Sequence, residues 1–269
     1  MVQCESCGVV FRSPRPPIAA SVEEFGSSPT GVAAEAWLGV RRSRMFVRFL
    51  EAWPGRPGRV LDVGCGGGWF LKAATERGWT AVGVDPSPAA ARYAREEFGV
   101  DARPGGLEAQ HFEPASFDLV TLWNVLDVVP EPLALLRTIQ PLLRPGGTLH
   151  LRAPNFPFQR VAFGATRAAR RVGLGRALDR RPYLAFIFNA TALSARTVRL
   201  FLERAGFTDV RVHPSPPAPG DPYRVFHGVA EWPLGLVKAG AHGVARAVWG
   251  LSGGRWIAGA SLEASGRRP

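Results

Sequence analysis

Short apolar segments alternate with amphipathic segments along most of this chain. The stretches RVLDVG, TAVGVD, FDLVTLWNV and TLHLRAP are apolar runs of strand length, whereas WFLKAATERG and PAAARYAREEFG place apolar residues at helical spacing. A helix is also predicted from about Ala33 to Trp53, before the first of these strands. Strands that alternate with helices form parallel sheets covered by helices on both faces, so the pattern predicts an α/β fold.

The second half of the chain is less regular. Between Asn155 and Asn189 the alternation is interrupted by a segment rich in arginine and aromatic residues. A helix follows, with Ser194 placed to cap its start and Gly206 placed to end it, and the strand FTDVRVH comes next. A helix from about Leu234 to Leu251 and the strand-like ASLEAS complete the predicted elements.

Composition and length narrow the class of protein. The 269 residues, of which 46% are hydrophobic, suffice for one large domain or a domain with an appendage. No apolar run is long enough to span a membrane, and the N-terminus lacks the layout of a secretory signal. Three cysteines are too few for a disulfide framework in a chain of this length. These features favour a cytoplasmic protein.

The charge of the chain is strongly basic. The net charge of +11 arises from 33 basic and 22 acidic residues, and lysine occurs only at Lys72 and Lys238. Such an excess suits nucleic acid, an anionic membrane or an acidic substrate. The arginines are spread along the chain, however, and no RNA-binding module accompanies them, so the composition of a GC-rich genome explains the charge better. The charge gives no strong nucleic-acid signal.

A glycine-rich loop directly follows the first predicted strand. Asp62, Gly64, Gly66 and Gly68 form the pattern D-x-G-x-G-x-G, and glycines there allow positive φ and close approach of a ligand. Asp85 ends the second strand, where an acid can accept hydrogen bonds from the hydroxyls of a ribose. Each feature also has a purely structural explanation. The glycines would form a tight turn for close helix packing, and Asp85 would cap the helix that follows it. Together, at the ends of two successive strands, they favour an adenosine-type ligand.

Four successive motifs resemble those of one enzyme family. VLDVGCGGGWFL, GWTAVGVDPSPAAARYAR, the long segment from SFDLVTLWNV to LHLRAPN, and TVRLFLERAGF resemble class I S-adenosylmethionine-dependent methyltransferases. The resemblance covers about Arg59 to Val212. It implies a Rossmann-like, seven-stranded, mostly parallel sheet with helices on both faces and an antiparallel last strand, to which SLEAS is similar. It also implies S-adenosylmethionine as the cofactor.

The resemblance assigns parts of the cofactor to positions of this chain. The glycine loop would lie beside the methionine part, Asp85 would hold the ribose, and Asn124 would lie near the carboxypropyl arm. Pro86 and Ser87 would flank the adenine on one side, and the PGGLE loop on the other. The implied cofactor-binding residues are Asp62, Gly64, Cys65, Gly66, Gly68, Asp85, Pro86, Ser87, Gly106, Leu107 and Asn124.

Two departures from the family pattern concern the chemistry. The family often has Asp where this chain has Gly106, so the resemblance does not imply the hydrogen bond that this Asp accepts from the adenine amine. Many relatives have L-E-H where this chain has Leu126, Asp127 and Val128, which removes a histidine that could act as an acid or base. Asp127 is therefore the best candidate for a catalytic base, ahead of His150 and His111.

The predicted organisation is a short lead-in followed by one domain with two distinct segments inside it. Residues 1–31 form a lead-in that resembles the second half of a zinc ribbon, with Cys4 and Cys7 two residues apart. Either the first half of that ribbon was lost, or the true start lies upstream. One cysteine pair supplies half the ligands of a zinc site, so we predict no bound metal. Residues 32–269 form the methyltransferase domain, with 156–190 as a lid-like insertion and 232–252 as an amphipathic helix.

The insertion and the helix each have two interpretations. Seven arginines lie between Arg160 and Arg181, and they form either a lid over the substrate or a solvated helical face. Asn155, Tyr183 and Phe186 are the candidate substrate residues, with packing as the alternative role of the two aromatic residues. The helix 232–252 carries Lys238, His242 and Arg246 at a spacing of four, so it either lies on an anionic membrane or packs on the sheet with its charges in water.

These observations predict a methyltransferase that acts on oxygen or carbon of a small molecule, such as a sugar, a lipid or a specialised metabolite. A cofactor-binding relative without catalysis is the alternative from another class, and the absent histidine supports it. An RNA methyltransferase is the third hypothesis, and it rests on charge alone.

Overall fold

The protein is described by a computed structural model. The described residues are 2–5, 7–14, 29–174, 190–217 and 231–269, and for 29–38, 41, 166, 169, 174 and 231–238 the backbone alone is described.

Ten strands and seven α-helices make up the described chain. The strands are β1 Val2–Gln3, β2 Val10–Phe11, β3 Arg59–Val63, β4 Thr80–Asp85, β5 Asp101–Pro104, β6 Phe117–Trp123, β7 Leu143–Pro154, β8 Thr191–Ala192, β9 Thr208–Pro214 and β10 Ser261–Arg267. The helices are α1 Pro29–Glu51, α2 Trp69–Thr75, α3 Pro88–Phe98, α4 Pro132–Ile139, α5 Phe156–Ala169, α6 Ala195–Arg204 and α7 Glu231–Leu251.

The central sheet has seven strands in the order β5-β4-β3-β6-β7-β10-β9. Strands β5, β4, β3, β6 and β7 pair in parallel, and β10 pairs antiparallel with both β7 and β9. The predicted seven-stranded Rossmann-like sheet with an antiparallel last strand is thus confirmed. The strand order reverses beside β3, between β4 and β6, which is where ligands bind at the carboxyl ends of such sheets.

Helices cover both faces of this sheet. On one face, Phe46 and Leu50 of α1 and Phe70 of α2 pack in one apolar cluster with Leu119 and Trp123. On the other face, α4 and α6 contribute their buried residues to a larger cluster with the strands, among them Leu136, Ile139, Val198 and Leu202. The amphipathic patterns of the predicted helices therefore correspond to packing on a two-sided sheet.

The described part of the lead-in packs on the rest of the protein. Strands β1 and β2 form a hairpin that continues into β8 as a small three-stranded sheet. Val9 is buried in the larger apolar cluster. Cys4 and Cys7 lie at the turn of the hairpin, where the amide of Gly8 donates to the carbonyl of Cys4 at 2.8 Å. Within the described residues, no group of three or more metal-ligating side chains forms there or elsewhere.

Helix α7 packs on the edge of the sheet. The indole Nε1 of Trp249 donates to the carbonyl of Val212 at 3.0 Å, and Ala245 is buried. These contacts are those of the second interpretation, in which the helix packs on the sheet. Burial lowers the pKa of His242, and the neighbouring Arg246 acts in the same direction. Within the described residues, no helix combines the length and apolar composition that a membrane-spanning helix requires.

Two glycines allow packing and backbone strain to be separated by experiment. A Cβ at Gly68 (φ +78) would lie 2.6 Å from the Cβ of Ala94, whereas a Cβ at Gly99 (φ +65) would meet nothing within 4 Å. We expect Gly99→Ala to lower the free energy of unfolding by about 1–2 kcal/mol, because of its left-handed backbone. Gly68→Ala should lower it by about 1–3 kcal/mol more, because of overpacking. Urea denaturation measures both, and equal losses would contradict the packing role of Gly68.

Candidate functional site

The loop between β3 and α2 folds back over the end of β4. Its glycines Gly64, Gly66 and Gly68 all have positive φ, at +76, +49 and +78. The amides of Gly64 and Cys65 donate to the carbonyl of Val84 at 2.8 and 3.1 Å. A Cβ at Gly64 would lie 2.4 Å from Val125, so close packing explains this glycine. Cys65 is buried in the core, which leaves its backbone as the part that can face a ligand.

Asp85 fixes this loop from the neighbouring strand. Its Oδ2 accepts from the amide of Gly66 at 2.8 Å, and its Oδ1 accepts from the amide of Ser87 at 2.9 Å. Burial raises the pKa of this carboxyl, although both amides act against the shift. A carboxylate offers about four acceptor positions, so about two remain for hydroxyl groups of a ligand.

The predicted adenine residues come together at the ends of β4 and β5. These strands are paired, with Asp85 beside Pro104, and the amide of Gly105 donates to the carbonyl of Asp85 at 2.8 Å. Pro86 on one strand end and Gly106 and Leu107 on the other therefore lie at the same sheet edge. Ser87 is buried, and its Oγ accepts from the amide of Ala90 at 3.2 Å. The side chain of Ser87 thus caps α3.

Asp62 has a structural partner. It is 2% exposed, and the hydroxyl of Thr121 on β6 donates to its Oδ1 at 2.6 Å. Burial raises the pKa of Asp62 to about 8, and the nearby Asp85 adds to the rise. This hydrogen bond of Asp62 joins β3 to β6 beneath the loop. Direct contact of Asp62 with the cofactor stays a prediction.

Asn124 lies at the end of β6 with a left-handed backbone, φ +60. Its backbone N–H donates to the backbone carbonyl of Arg152 at 2.8 Å, and its side-chain Oδ1 accepts from Nη1 of Arg152 at 3.0 Å. Its Nδ2 is buried and has no hydrogen-bond partner among the described residues. A buried donor of this kind normally has a partner, so its orientation suits an anionic group of a ligand.

Arg152 is a site residue that sequence reasoning missed. It is 2% exposed, and its Nε and Nη2 donate to the hydroxyls of Ser215 and Ser261 at 3.0 and 3.1 Å. Ser215 in turn donates to Glu263 at 2.7 Å. A buried arginine needs such partners, and they hold its guanidinium against Asn124. The signal in the sequence is one arginine inside the apolar strand TLHLRAP.

The predicted substrate residues have different positions. Asp127 is buried after β6, and its carbonyl accepts from the amide of Thr191 at 3.0 Å. Asn155 was expected to face the substrate, but its Nδ2 donates to the carbonyls of Ile257 and Gly259 at 2.7 and 2.8 Å. Both of its amide hydrogens therefore hold the segment before β10. The candidates Tyr183 and Phe186 lie outside the described residues.

The two alternative bases are also distinguished. His150 is buried between Phe49 and Trp123, with ring centroids 4.3 and 5.1 Å away. Burial lowers the pKa of His150 to about 3, so this imidazole is neutral at physiological pH. His111 is exposed in the segment before β6.

Comparison with known proteins places the chain in a family. A family model described as "Methyltransferase domain" matches residues 39–212, which is more than half of the chain. The chain belongs to this family. The resemblance to class I S-adenosylmethionine-dependent methyltransferases is thereby confirmed, and S-adenosylmethionine is the cofactor of that class.

Individual relatives match this chain in part. Over 116 residues it is 40% identical to the ubiquinone biosynthesis O-methyltransferase of Xanthomonas campestris pv. campestris. The matched segment makes up 41% of this chain and 48% of that protein. The chain thus spans about half the length of this relative.

Solved structures share the fold of this protein at low sequence identity. An S-adenosylmethionine-dependent methyltransferase from Thermotoga maritima is 16% identical with a TM-score of 0.55, covering 91% of this chain and 98% of that one. Phosphoethanolamine N-methyltransferase 2 from Haemonchus contortus, in complex with S-adenosyl-L-methionine, is 16% identical with a TM-score of 0.57. The match covers 96% of this chain and 61% of that one.

The raised pKa of Asp62 makes the stability of this protein depend on pH. Between the usual carboxyl value of 3.8 and about 8, Asp62 is protonated when folded and ionised when unfolded. The free energy of unfolding therefore falls as pH rises, by up to about 1.4 kcal/mol per pH unit. Asp62→Asn keeps an acceptor for Thr121, so we expect a flatter fall. The pKa of Asp85 is raised as well, so any contribution of Asp85 to the slope has the same sign.

The measurement is urea denaturation between about pH 7.5 and 8.5. In this window His150 has little effect, because it is neutral in the folded protein and the unfolded imidazole, with its ordinary pKa of 6.5, is almost wholly neutral as well. His150→Phe is accordingly the control that should leave the slope unchanged. An unaltered slope in Asp62→Asn would show that Asp62 is ionised in the folded protein.

Proposed function

We propose that this protein transfers a methyl group from S-adenosylmethionine to an oxygen atom of a small molecule. The observation that carries the proposal is the arrangement of Asp85 and Asn124 on either side of the glycine loop, at the point where the strand order reverses. One side offers carboxylate acceptors and the other a buried, unpartnered amide donor. The O-methyltransferase named above supports oxygen as the acceptor atom, with carbon as the alternative.

The described residues fit the chemical groups of this cofactor. The remaining acceptor positions of Asp85 would bind the ribose hydroxyls, and Nδ2 of Asn124 would donate to the carboxylate of the methionine part. Pro86 and Leu107 would lie against the adenine, and the backbone of the glycine loop would lie along the methionine part. When bound, S-adenosylmethionine supplies a methyl group activated by its positively charged sulfur.

The chain itself must position the acceptor and, where needed, remove its proton. Holding two reactants in line contributes up to about 7–11 kcal/mol in ideal cases, so orientation is the main task of the site. A base is needed only if the acceptor loses a proton on methylation. We assign that role to Asp127, because it is buried three residues after Asn124, at the same sheet edge. An acceptor that is already ionised would need no base.

Helix α5 is the candidate lid over the acceptor. It begins directly after β7, and the amide of Phe156 donates to the carbonyl of Leu193 at 2.8 Å, which ties its start to the site. The helix exposes apolar side chains, including Val161 at 70% and Phe158 at 39%. Exposed apolar side chains at this end of the sheet would exclude water from the methyl group.

The cofactor assignment predicts the effect of Asn124→Asp. Aspartate keeps an acceptor for Arg152 and tolerates the left-handed backbone, but it replaces the donor Nδ2 with a negative oxygen. We expect the affinity for S-adenosylhomocysteine, measured by calorimetry, to fall at least about tenfold, since each charge-assisted hydrogen bond contributes about 1.5–3 kcal/mol. The thermal midpoint should not fall. Unchanged affinity would contradict the placement of the cofactor carboxylate.

The lid assignment predicts a different result for Val161→Asp. A charge on this exposed face of α5 should lower methyl transfer while leaving the affinity for S-adenosylhomocysteine unchanged. Val244→Asp is the matched control, because Val244 is 63% exposed on α7. Transfer is measured from labelled S-adenosylmethionine to a panel of phenols and catechols, and equal rates in both variants would contradict the lid. Cofactor binding without transfer to any tested acceptor would favour a non-catalytic role.

A further inference from the structure

The two faces of the sheet differ in chemistry across β7, β10 and β9. On the face toward α4 and α6, the side chains are buried and apolar: Leu149, Leu151, Ala153, Leu262, Ala264 and Val212. The alternate positions of the same strands face α1 and are polar or charged: His150, Arg152, Glu263, Ser265, Arg211 and His213. Antiparallel strands such as β10 and β9 commonly have one polar face toward water. His150, Arg152 and Glu263 are nevertheless buried on this face, so its inner part is polar without being solvated.

A cavity of about 1040 Å³ lies along this polar face, beside α1. Aromatic rings line part of it, since Phe49, Trp123 and His150 contact one another with centroids 4.3 to 5.3 Å apart. The volume corresponds to the upper end of that seen for sites that bind small molecules. Nε1 of Trp123 and Nε2 of His150 are buried without hydrogen-bond partners among the described residues. Buried polar atoms normally have hydrogen-bond partners, so these two nitrogens beside the cavity need a partner that the described residues do not supply.

The cavity is distinct from the cofactor site. Its lining includes Gly58, which precedes β3, and Asp118, near the start of β6. The lining also includes Arg144 to Gly147. This segment comes just before Thr148, from which β7 pairs continuously with β6. These residues lie at the amino ends of the parallel strands, whereas the glycine loop, Asp85 and Asn124 follow the carboxyl ends.

The charge around the cavity is positive. Six arginines line it against three acids, Asp118, Asp209 and Glu263; the arginines are Arg44, Arg48, Arg56, Arg144, Arg211 and Arg267. Asp118 is already paired with Arg144 at 2.7 Å, and Glu263 accepts from Ser215. Arg211 and Arg267 are exposed at the rim and have no ion-pair partner in the described part of the chain. An excess of unpaired guanidinium groups selects for an anion.

We propose that this cavity is a second ligand site, which binds a planar aromatic molecule carrying an acidic group. The ring of the ligand lies against Phe49, Trp123 and His150, and its anionic group pairs with Arg211 and Arg267. The site is separate from methyl transfer and does not depend on the proposed function.

Calorimetry on the full chain tests the site, with 2-naphthalenesulfonate as the probe. We expect saturable binding of one probe per chain, unchanged by saturating S-adenosylhomocysteine. The cation 2-naphthylmethylammonium, which has the same ring system, should bind at least about tenfold more weakly, because it lacks the anionic group that guanidinium prefers. Absence of saturable binding, or displacement of the probe by S-adenosylhomocysteine, would overturn the proposal.

Two arginine variants locate the probe. Arg211→Gln combined with Arg267→Gln should weaken binding of the sulfonate at least about tenfold, since both cations at the rim are removed. Arg137→Gln should leave it unchanged, because Arg137 is exposed on α4, which covers the other face of the sheet. Equal weakening by both changes would mean nonspecific attraction and would overturn the site.

A second measurement remains informative if the double variant is less stable. The indole N–H signal of Trp123, assigned with Trp123→Phe, should shift in the NMR spectrum of the parent protein when the sulfonate is added. A spectrum in which this signal stays fixed while the probe binds would place the probe elsewhere.

Discussion

The carboxylate of Asp85 is the constraint on which the cofactor end of the sheet depends. It accepts one amide from the glycine loop, at Gly66, and one from the start of α3, at Ser87. These two bonds tie the segment after β3 to the segment after β4. Because the loop consists largely of glycines with positive φ, it has little intrinsic preference for one shape, and the side chain from the next strand supplies that preference. Asp85 thus shapes the site before it can bind a ligand.

A second clamp acts at the end of β6. Asn124 has a left-handed backbone, which costs free energy in a residue other than glycine. Two hydrogen bonds to Arg152 hold it there: the carbonyl of Arg152 accepts from the backbone of Asn124, and the guanidinium of Arg152 donates to its side chain. Arg152 is itself fixed by Ser215 and Ser261, which come from β10 and the segment after β9. The antiparallel strand thereby supports the side of the site opposite Asp85. This gives the last strand of the fold a role in the orientation of one amide.

The parts of the site that the sequence predicted are those determined by short-range pattern. Strand and helix alternation predicted the sheet, and the glycine spacing together with Asp85 predicted where its ligand edge lies. The rest depends on contacts between distant positions. Ser261 lies 109 residues from Arg152, Thr121 lies 59 from Asp62, and the partners of Asn155 lie 102 and 104 residues away. No local pattern shows that these side chains are already engaged, so the sequence did not indicate the structural partners of Asp62 and Asn155 or the position of Arg152 beside Asn124.

The alternation of side chains along β7 lets one strand serve two purposes. Leu149, Leu151 and Ala153 are fully buried on one face and contribute apolar area to folding. His150 and Arg152 lie between them on the other face, where they are also buried, but against aromatic rings and hydroxyl groups. In a parallel sheet covered by helices, strands are normally apolar on both faces. On the polar face of this sheet, Arg152 is tied to Asn124 and so to the cofactor edge. Arg211 and Arg267 are exposed and have no such link among the described residues, so their end of the polar face is the part whose chemistry can change while the cofactor edge remains intact.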